Sequence, residues 1–372
     1  MWKEEEVVWP WPWAQTPQGV RNGDLPPQAL PLAAKLQTHH VHSQEQSPLF
    51  RLSPEIREYI YRMVLQTECH PAKPYPPGAH IFRPSLTGRL HADTALLRTC
   101  WSIYLEAWAL PSMLTTLIIH QGSAHDRPRY TKRKRFGRPG EHERLHLRPG
   151  KRFFHLQAWQ LLLVQRVEMR FQQISLEGGG MENWIRHING ARQQANETVQ
   201  HLALTDADAG LKEFVDRNLS TTGIRELVVR MNRCDWWTWT FDPRNAKADL
   251  AEAAAHSQAL RLEKPPSPLS VVGHEANALP LFSHDFAFKL ELETFAQKAA
   301  QLGRIIDLAK HWEFQPGDNS THQQPLLWDG QVGVESWTSC NSECRWQVDN
   351  TRVEERTIKF VPGGTGGRRM TN

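Results

Sequence analysis

Two pairs of metal-binding residue types stand out in the sequence. His142 and His146 would share one face of a helix, because residues four positions apart are neighbours on a helix surface. Nearby prolines and glycines, however, disfavour a helix there. Cys340 and Cys344 have a spacing that zinc sites tolerate, but no second Cys/His pair lies close enough to complete a four-ligand site. We therefore predict no metal site.

Recognisable catalytic motifs are also missing. The sequence contains no Gly-x-Ser-x-Gly nucleophile elbow, no P-loop, no His-Glu-x-x-His and no dinucleotide fingerprint. The glycine-rich stretch 363–367 has no helix after it that could direct backbone amides at a phosphate. We therefore predict a protein that is not an enzyme and carries no cofactor. A catalytic site assembled from scattered residues is the alternative.

Charge, cysteine content and hydropathy limit the class of protein. The chain has 372 residues and a net charge of +4, which is too small to imply a nucleic-acid partner for the whole molecule. Its five cysteines are few and odd in number, which argues against a secreted disulfide scaffold. There is neither a signal-peptide core nor an apolar run of membrane-spanning length. These features predict a cytoplasmic or nuclear protein with no membrane partner.

Positive charge is concentrated in residues 127–152, which hold eleven basic residues against two glutamates. The centre of this segment is the tetrabasic run Lys132, Arg133, Lys134 and Arg135. Flanking prolines and glycines favour an exposed loop. Such a run is typical of nuclear-import signals and phosphate-binding patches. We predict nuclear import; a solvated insertion without a role and nucleic-acid binding are the alternatives.

Tryptophan is unusually frequent, with 15 Trp against five Tyr. Three of these residues lie close together after a predicted strand: Trp236, Trp237 and Trp239. Because Trp is enriched at binding hot spots, this cluster is a candidate partner-binding site. Burial in a core is the alternative.

The first predicted helix follows a Pro-, Gln- and His-rich leader, residues 1–46, which we predict to be disordered. Ser53 is a good N-cap, and Pro54 suits the first helical position. The helix then carries one apolar face, formed by Ile56, Tyr59, Ile60, Met63 and Val64.

A second helix is expected from about residue 93 to residue 110, where Pro111 would stop it. Its apolar residues are numerous enough to give a broad buried face. Together the two helices predict a helical unit over residues 47–112.

An apolar-x-x-apolar-x-apolar pattern recurs four times beyond that unit, with copies that begin at Leu114, Val164, Val199 and Ile224. The last three residues of each copy alternate as in a half-buried strand. Helix-like stretches at 153–163 and 184–195 separate the copies, which predicts crossovers onto a largely parallel sheet. Residues 113–262 should therefore form an α/β body, with α+β and a degenerate solenoid as alternatives.

The C-terminal part is predicted to begin after a Pro-rich linker at residues 263–280. Apolar residues spaced by three and four between Phe288 and Ala309 predict one long amphipathic helix. Its stripe is broad, so we expect it to pack within a monomer and not in a coiled coil. Asp329-Gly330 predicts the turn of a β-hairpin, and another strand is expected near 357–361. The helix and hairpin, residues 281–362, should pack on the body before a disordered tail at 363–372.

Two segments of the helical unit resemble signatures of fungal F-box-like domains, many of which are domains of unknown function. Leu52-Ser-Pro-Glu-Ile-Arg57 is similar to the family's Leu-Pro-x-Glu-Ile-Arg motif. Leu96-Leu-Arg-Thr-Cys-Trp-Ser-Ile-Tyr-Leu-Glu-Ala107 resembles Leu-Leu-x-Thr-Cys-Arg-x-Ile-Tyr-x-Glu-Ala. Trp312-Glu-Phe and Leu327-Trp-Asp-Gly330 are similar to a C-terminal stretch of many of the same proteins. The chain departs from the family in three ways: Ser53 stands in place of Pro, Trp101 stands in place of Arg, and the segment after Leu110 lacks the Leu-Tyr-x-x-Asn-x-Phe stretch common in relatives.

The resemblance implies that the helical unit binds the Skp-type adaptor of a cullin–RING ubiquitin ligase, and that the body presents a substrate. The implied adaptor-binding residues are Leu52, Pro54, Ile56 and Ile60. One alternative is a structural subdomain whose apolar face packs against the sheet. The others are a scaffold with no ligase role and a nuclear nucleic-acid-associated protein that uses residues 127–152. The first two interpretations differ in one observable, the exposure of that apolar face.

Overall fold

The structure is a computed structural model. It describes residues 30–36, 41–42, 44–75, 82–121, 156–171, 176, 180–205, 209–219, 223–233, 235–236, 282–314, 324–339 and 351–363. Helices and strands alternate in this part of the chain, and most strand pairs of the main sheet are parallel. The α/β class predicted from the sequence is therefore confirmed.

The N-terminal elements are short helices and a two-stranded ribbon. They are α1 (Leu32–Leu36), a 3-10 helix (Pro48–Arg51), α2 (Pro54–Leu65), β1 (Thr67–Pro74), β2 (Gly88–Ala92), a second 3-10 helix (Ala95–Arg98), α3 (Trp101–Ala107) and α4 (Leu110–Leu114). Strands β1 and β2 pair antiparallel. Helices α2, α3 and α4 enclose a small core of their own, formed by Tyr61, Leu65, Ile103, Ala107 and Leu110.

The remaining elements build one sheet and the helices that cover it. They are β3 (Thr116–Gln121), α5 (Ala158–Leu163), β4 (Arg166–Phe171), α6 (Gly180–Thr205), α7 (Ala209–Asn218), β5 (Ile224–Met231), β6 (Phe282–Phe295), a 3-10 helix (Ala296–Lys298), α8 (Ala299–Ala309), β7 (Leu326–Ser339) and β8 (Thr351–Pro362). The six strands lie in the order β3-β4-β5-β6-β8-β7. The first four are parallel, and β8 pairs antiparallel with both β6 and β7.

One face of the sheet is apolar because the strand registers align apolar residues in rows. One row consists of Leu117, Val167, Leu227, Phe288 and Phe360. The next consists of Ile119, Met169, Val229, Leu290 and Ile358. Both rows belong to the main hydrophobic core, to which α5, α6, α7 and α8 also contribute. Because successive strand residues face opposite sides of a sheet, the residues between these rows lie on the other face.

Three of the four pattern copies form strands, and the third does not. Residues 199–204 lie inside α6, so the predicted strand at Val199 is wrong. The reason is that the helical spacing of the apolar residues in this segment is visible only over a stretch longer than six residues. Ile188, Ala195 and Val199 are buried at helical spacing along a 26-residue helix.

The long helix predicted from Phe288 to Ala309 is also wrong in its first half. Residues up to Phe295 belong to β6, and the helix begins only at Ala299. A spacing of four also fits the two-residue period of a strand, so Phe288 and Leu292 lie on the same face of β6. The helical half of the stripe is confirmed, with Leu302, Ile306 and Ala309 buried.

The hairpin predicted with its turn at Asp329-Gly330 is wrong. Strand β7 runs through this dipeptide, and its pairing with β8 is shifted between Trp328 and Val332 by a bulge. Gly330 adopts a φ of 93°, which is the left-handed conformation that a bulge can require. The strand expected near 357–361 is confirmed as part of β8.

Two smaller expectations at the N-terminus need correction. Part of the predicted disordered leader is α1, whose Ala33 and Ala34 are buried in the main core. The predicted second helix is interrupted at Thr99 and Cys100, and Pro111 lies in the first turn of α4 instead of ending a helix. The predicted linker 263–280 and the tail beyond residue 363 lie outside the described residues.

Candidate functional site

The main surface feature of the helical unit is an exposed apolar stripe along α2, which we name the α2 stripe. It consists of Leu52, Ile56, Tyr59, Ile60, Met63 and Val64. Ile56 is 50% exposed, Tyr59 64% and Met63 55%, whereas Ile60 is half-buried. This face is therefore largely exposed and does not pack against the sheet, as the alternative of a structural subdomain would require. The implied adaptor-binding residues Leu52, Pro54 and Ile56 all lie on the surface.

A different side of α2 faces the small core. Tyr61 and Leu65 are fully buried there, against Ile103 and Ala107 of α3. Helix α2 thus has apolar residues on two sides and buries only one of them. Tyr59, Met63 and Val64 were not among the implied adaptor-binding residues, although Tyr61 and Leu65 were a signal for a second apolar side. A helix that is apolar on more than one side needs more than one packing partner.

An ion pair fixes α2 to α3. The Arg57 guanidinium donates from Nε and Nη2 to the two carboxylate oxygens of Glu106, at 2.9 and 2.7 Å. The Tyr61 hydroxyl donates to the same carboxylate at 2.9 Å. Arg57 Nη1 also donates to the carbonyl of Leu52 at 2.6 Å, which ties down the chain just before the helix. These contacts fix the orientation of α2 about its own axis, and in this orientation the α2 stripe faces solvent.

The protonation of this cluster follows from its contacts. Burial alone raises the pKa of Glu106, but the hydrogen bonds from Arg57 and Tyr61 outweigh it and hold that pKa below its usual range. Burial, reinforced by the neighbouring Glu106 carboxylate, raises the pKa of Tyr61. At neutral pH the site is therefore an Arg cation, a carboxylate and a neutral phenol, which is the state that makes every one of these hydrogen bonds.

The predicted tryptophan site is wrong for the one residue of it that the structure describes. Trp236 is fully buried, and its Nε1 donates to the carbonyl of Glu293 at 2.8 Å. An indole that is enclosed and hydrogen-bonded in this way stabilises the fold and offers no surface to a partner. Trp237 and Trp239 lie outside the described residues.

The second sheet face carries a buried layer of charge that sequence reasoning did not find. It contains Arg83, Glu168, Arg170, Arg230, Arg233, Glu291, Glu293 and Glu355. Arg230 contacts carboxylates from three strands: Glu168 at 3.3 Å, Glu355 at 2.7 Å, and Glu291. The sequence contained a signal for this layer, because charged residues alternate with the apolar residues along the strands, and successive strand residues face opposite sides of a sheet.

Arg83 links the β1–β2 connection to this charged layer. Its Nη1 donates to Glu355 at 3.1 Å and its Nη2 to the Asn232 side-chain carbonyl at 2.7 Å. Arg233 forms an ion pair with Glu293 and donates to Ser339 at 2.9 Å. Burial raises the pKa of Glu291 and of Glu293 to about 7, despite the neighbouring arginines. Because the arginines and glutamates bind one another, this layer is an internal structural network.

The candidate metal ligands and the basic segment are not among the residues that the structure describes. His142, His146, Cys340, Cys344 and the run Lys132–Arg135 all lie outside the described residues. Within the described part of the chain, no group of three or more His, Cys, Asp or Glu side chains is placed to hold a metal ion. No helix described by the structure is both long and apolar enough to cross a bilayer.

One surface pocket lies between α4, β3 and α5. Its lining includes Pro111, Ser112, Thr115, Leu117 and Gln160. None of its lining residues has a side chain that titrates near neutral pH, so the pocket offers no general acid or base. The α2 stripe is consequently the feature best suited to a functional contact.

Comparison with known proteins gives no family for this chain. No family model, no curated protein and no solved structure matches it.

Proposed function

We propose that the helical unit acts as an F-box-like module that docks a Skp-type adaptor through the α2 stripe, with the α/β body recognising the protein to be presented. The observation that supports this proposal is the exposure of the stripe while Tyr61 and Leu65, on another side of the same helix, are buried. A purely structural subdomain would bury the stripe against its own sheet. Exposed contiguous apolar surface is typical of a protein interaction site.

The positions that carry the family resemblance support the same proposal. Arg57 belongs to the first signature and Glu106 to the second, and they bind each other. Through this ion pair, both signature residues orient the α2 stripe. Ser53, where the family has Pro, still precedes a helix that begins with Pro54 at its first position. The departure therefore leaves the start of α2 intact.

Calorimetric titration of full-length protein with a purified Skp-type adaptor tests the proposal. We expect a dissociation constant of about 10 µM or lower, which corresponds to a binding free energy of roughly −7 kcal/mol or stronger. Ile56→Asp should abolish binding, because it places a charge in the apolar contact. The same variant should unfold at the same urea concentration as the parent, since Ile56 is half exposed.

Arg62→Asp is the matched control. It reverses a charge on the same helix, but Arg62 lies outside the stripe and forms an exposed ion pair with Glu58. Binding should persist in this variant. Absence of heat and of a complex on gel filtration with the parent protein would overturn the adaptor proposal.

A further inference from the structure

Strand β7 is an edge of the main sheet. Within the described part of the chain it pairs with β8 alone. Every second residue of an edge strand directs its N–H and C=O away from its neighbour, and an added strand can bind these groups. The outer side of β7 is thus a template for another extended segment.

The first part of this edge is already occupied by local hydrogen bonds. Asp329 Oδ1 accepts from the Gln331 N–H at 2.9 Å, and Trp328 Nε1 donates to the Gln331 carbonyl at 2.8 Å. The bulge at Gly330 also bends the strand here. The open template therefore begins after Gln331, and we name residues 332–338 the β7 edge.

The centre of the β7 edge, residues 333–336, is exposed on both faces of the sheet, whereas Val332 and Trp337 are half-buried. Val334 is 60% exposed on one face, and Gly333 and Glu335 are exposed on the other. Edge strands are usually protected by charged side chains, Pro or a bulge, and the sequence Val-Gly-Val-Glu-Ser-Trp-Thr contains no Pro and one charged residue, Glu335. Within residues 332–338, Glu335 is consequently the one such protective feature.

Glu335 determines which kind of segment fits. It lies directly opposite Glu355, and like charges opposite each other destabilise a strand pair. Glu355 is neutralised by Arg230 and Arg83, whereas Glu335 has no hydrogen-bond or ion-pair partner among the described residues. A basic side chain on an added strand would supply the missing charge.

We propose that the β7 edge binds an extended peptide segment as an added strand, with a basic residue beside Glu335 and an aliphatic residue beside Val334. A second copy of this chain fits less well, because self-pairing would bring two Glu335 carboxylates onto adjoining strands. A role for this segment as part of the protein that is presented to a ligase would rest on the proposed function. The strand addition itself does not.

Two peptides test this proposal on the full-length protein: acetyl-Thr-Leu-Thr-Lys-Val-Ser-Val-amide, and the same peptide with Glu in place of Lys. Antiparallel pairing places the central residue beside Glu335. The Lys peptide should bind about fivefold more tightly than the Glu peptide, from the cross-strand charge pair. It should also slow amide hydrogen exchange within residues 332–338.

Glu335→Lys should reverse the preference, so that the Glu peptide binds more tightly. Glu58→Lys, a charge reversal on the exposed surface of α2, should leave the preference unchanged. No binding, equal affinity for both peptides, or a β7-dependent dimer in light scattering would overturn the proposal. Adaptor binding through the α2 stripe is measured separately, so either proposal can fail without the other.

Discussion

Arg57 and Glu106, which are 49 positions apart in the sequence, form a bidentate ion pair that joins the two segments resembling F-box-like signatures. The two hydrogen bonds are 2.9 and 2.7 Å long, and the fork geometry fixes direction as well as distance. The pair therefore sets which side of α2 faces the small core and which side faces solvent.

The Tyr61 hydroxyl should contribute measurably to this cluster. Tyr61→Phe removes its hydrogen bond to the Glu106 carboxylate and should lower the free energy of unfolding by about 2 kcal/mol, as for a bond to a charged group. Urea unfolding followed by fluorescence measures the change. Tyr59→Phe is the control, because Tyr59 lies on the exposed side of the same helix. Equal losses in the two variants would contradict the importance of the hydroxyl.

The buried carboxyls of the charged layer should make stability fall as pH rises towards neutral. Glu291 and Glu293 ionise near 4.5 when unfolded, but burial raises each pKa to about 7 in the folded protein. Between these values the folded state binds more protons, so their contribution is fully present below 4.5 and is lost as pH rises through about 7. Glu106, with its lowered pKa, acts in the opposite direction at acidic pH.

Urea midpoints measured from about pH 5 to pH 8 test this dependence. The midpoint should decrease across the range in the parent protein. Glu291→Gln should flatten the decrease, whatever its effect on absolute stability, because the amide does not titrate. Glu58→Gln, on the exposed surface of α2, should keep the parent slope. A midpoint that rises with pH in the parent would show that the neighbouring arginines lower the pKa values of Glu291 and Glu293 by more than burial raises them.

Arg83 should be important for stability despite its position in a connection between two short strands. Arg83→Ala leaves Glu355 and Asn232 without one of their buried partners and should cost about 3–5 kcal/mol. Arg51→Ala, at an exposed position, should change stability by less than about 0.5 kcal/mol. Chemical denaturation compares the two. A small loss for Arg83→Ala would mean that Arg230 alone neutralises Glu355.

The sequence predicts much of the fold because local patterns identify most of its elements. Copies of the apolar pattern at Leu114, Val164 and Ile224 lead into parallel strands, and Pro54 marks the start of α2. The errors arise where one spacing satisfies two periods, as at Phe288 and Leu292. A six-residue window is also too short to distinguish a strand from part of a long helix, as at Val199.

The candidate site was less predictable, because exposure depends on contacts between distant segments. Ile56 and Tyr61 are both apolar positions on one helix, and only the packing of α3 decides which is buried. Similarly, Arg83 reaches Glu355 across 272 positions, and no local pattern encodes that contact. Trp236 shows the same limit, since burial turned a candidate binding residue into a core residue.

The tetrabasic run should direct nuclear import. Simultaneous Ala substitution of Lys132, Arg133, Lys134 and Arg135 removes the charge that an import receptor binds. We expect a fluorescently tagged variant to leave the nucleus, with unchanged total abundance. Substitution of Arg144 and Arg148, in the same basic segment but outside the run, provides the control. Equal nuclear accumulation of the parent and the tetrabasic variant would refute the prediction.

Helix α8 should be part of the internal core and not an oligomerisation surface. Leu302 is fully buried, so Leu302→Ala should cost about 2–5 kcal/mol through lost contacts and the cavity left behind. Leu308 lies on the same helix but is 46% exposed, and Leu308→Ala should cost less than about 1 kcal/mol. Urea denaturation measures the loss of stability in each of the two variants. Light scattering of the parent should show a monomer; a dimer that Leu308→Asp dissociates without unfolding would instead make the exposed side of α8 an interface.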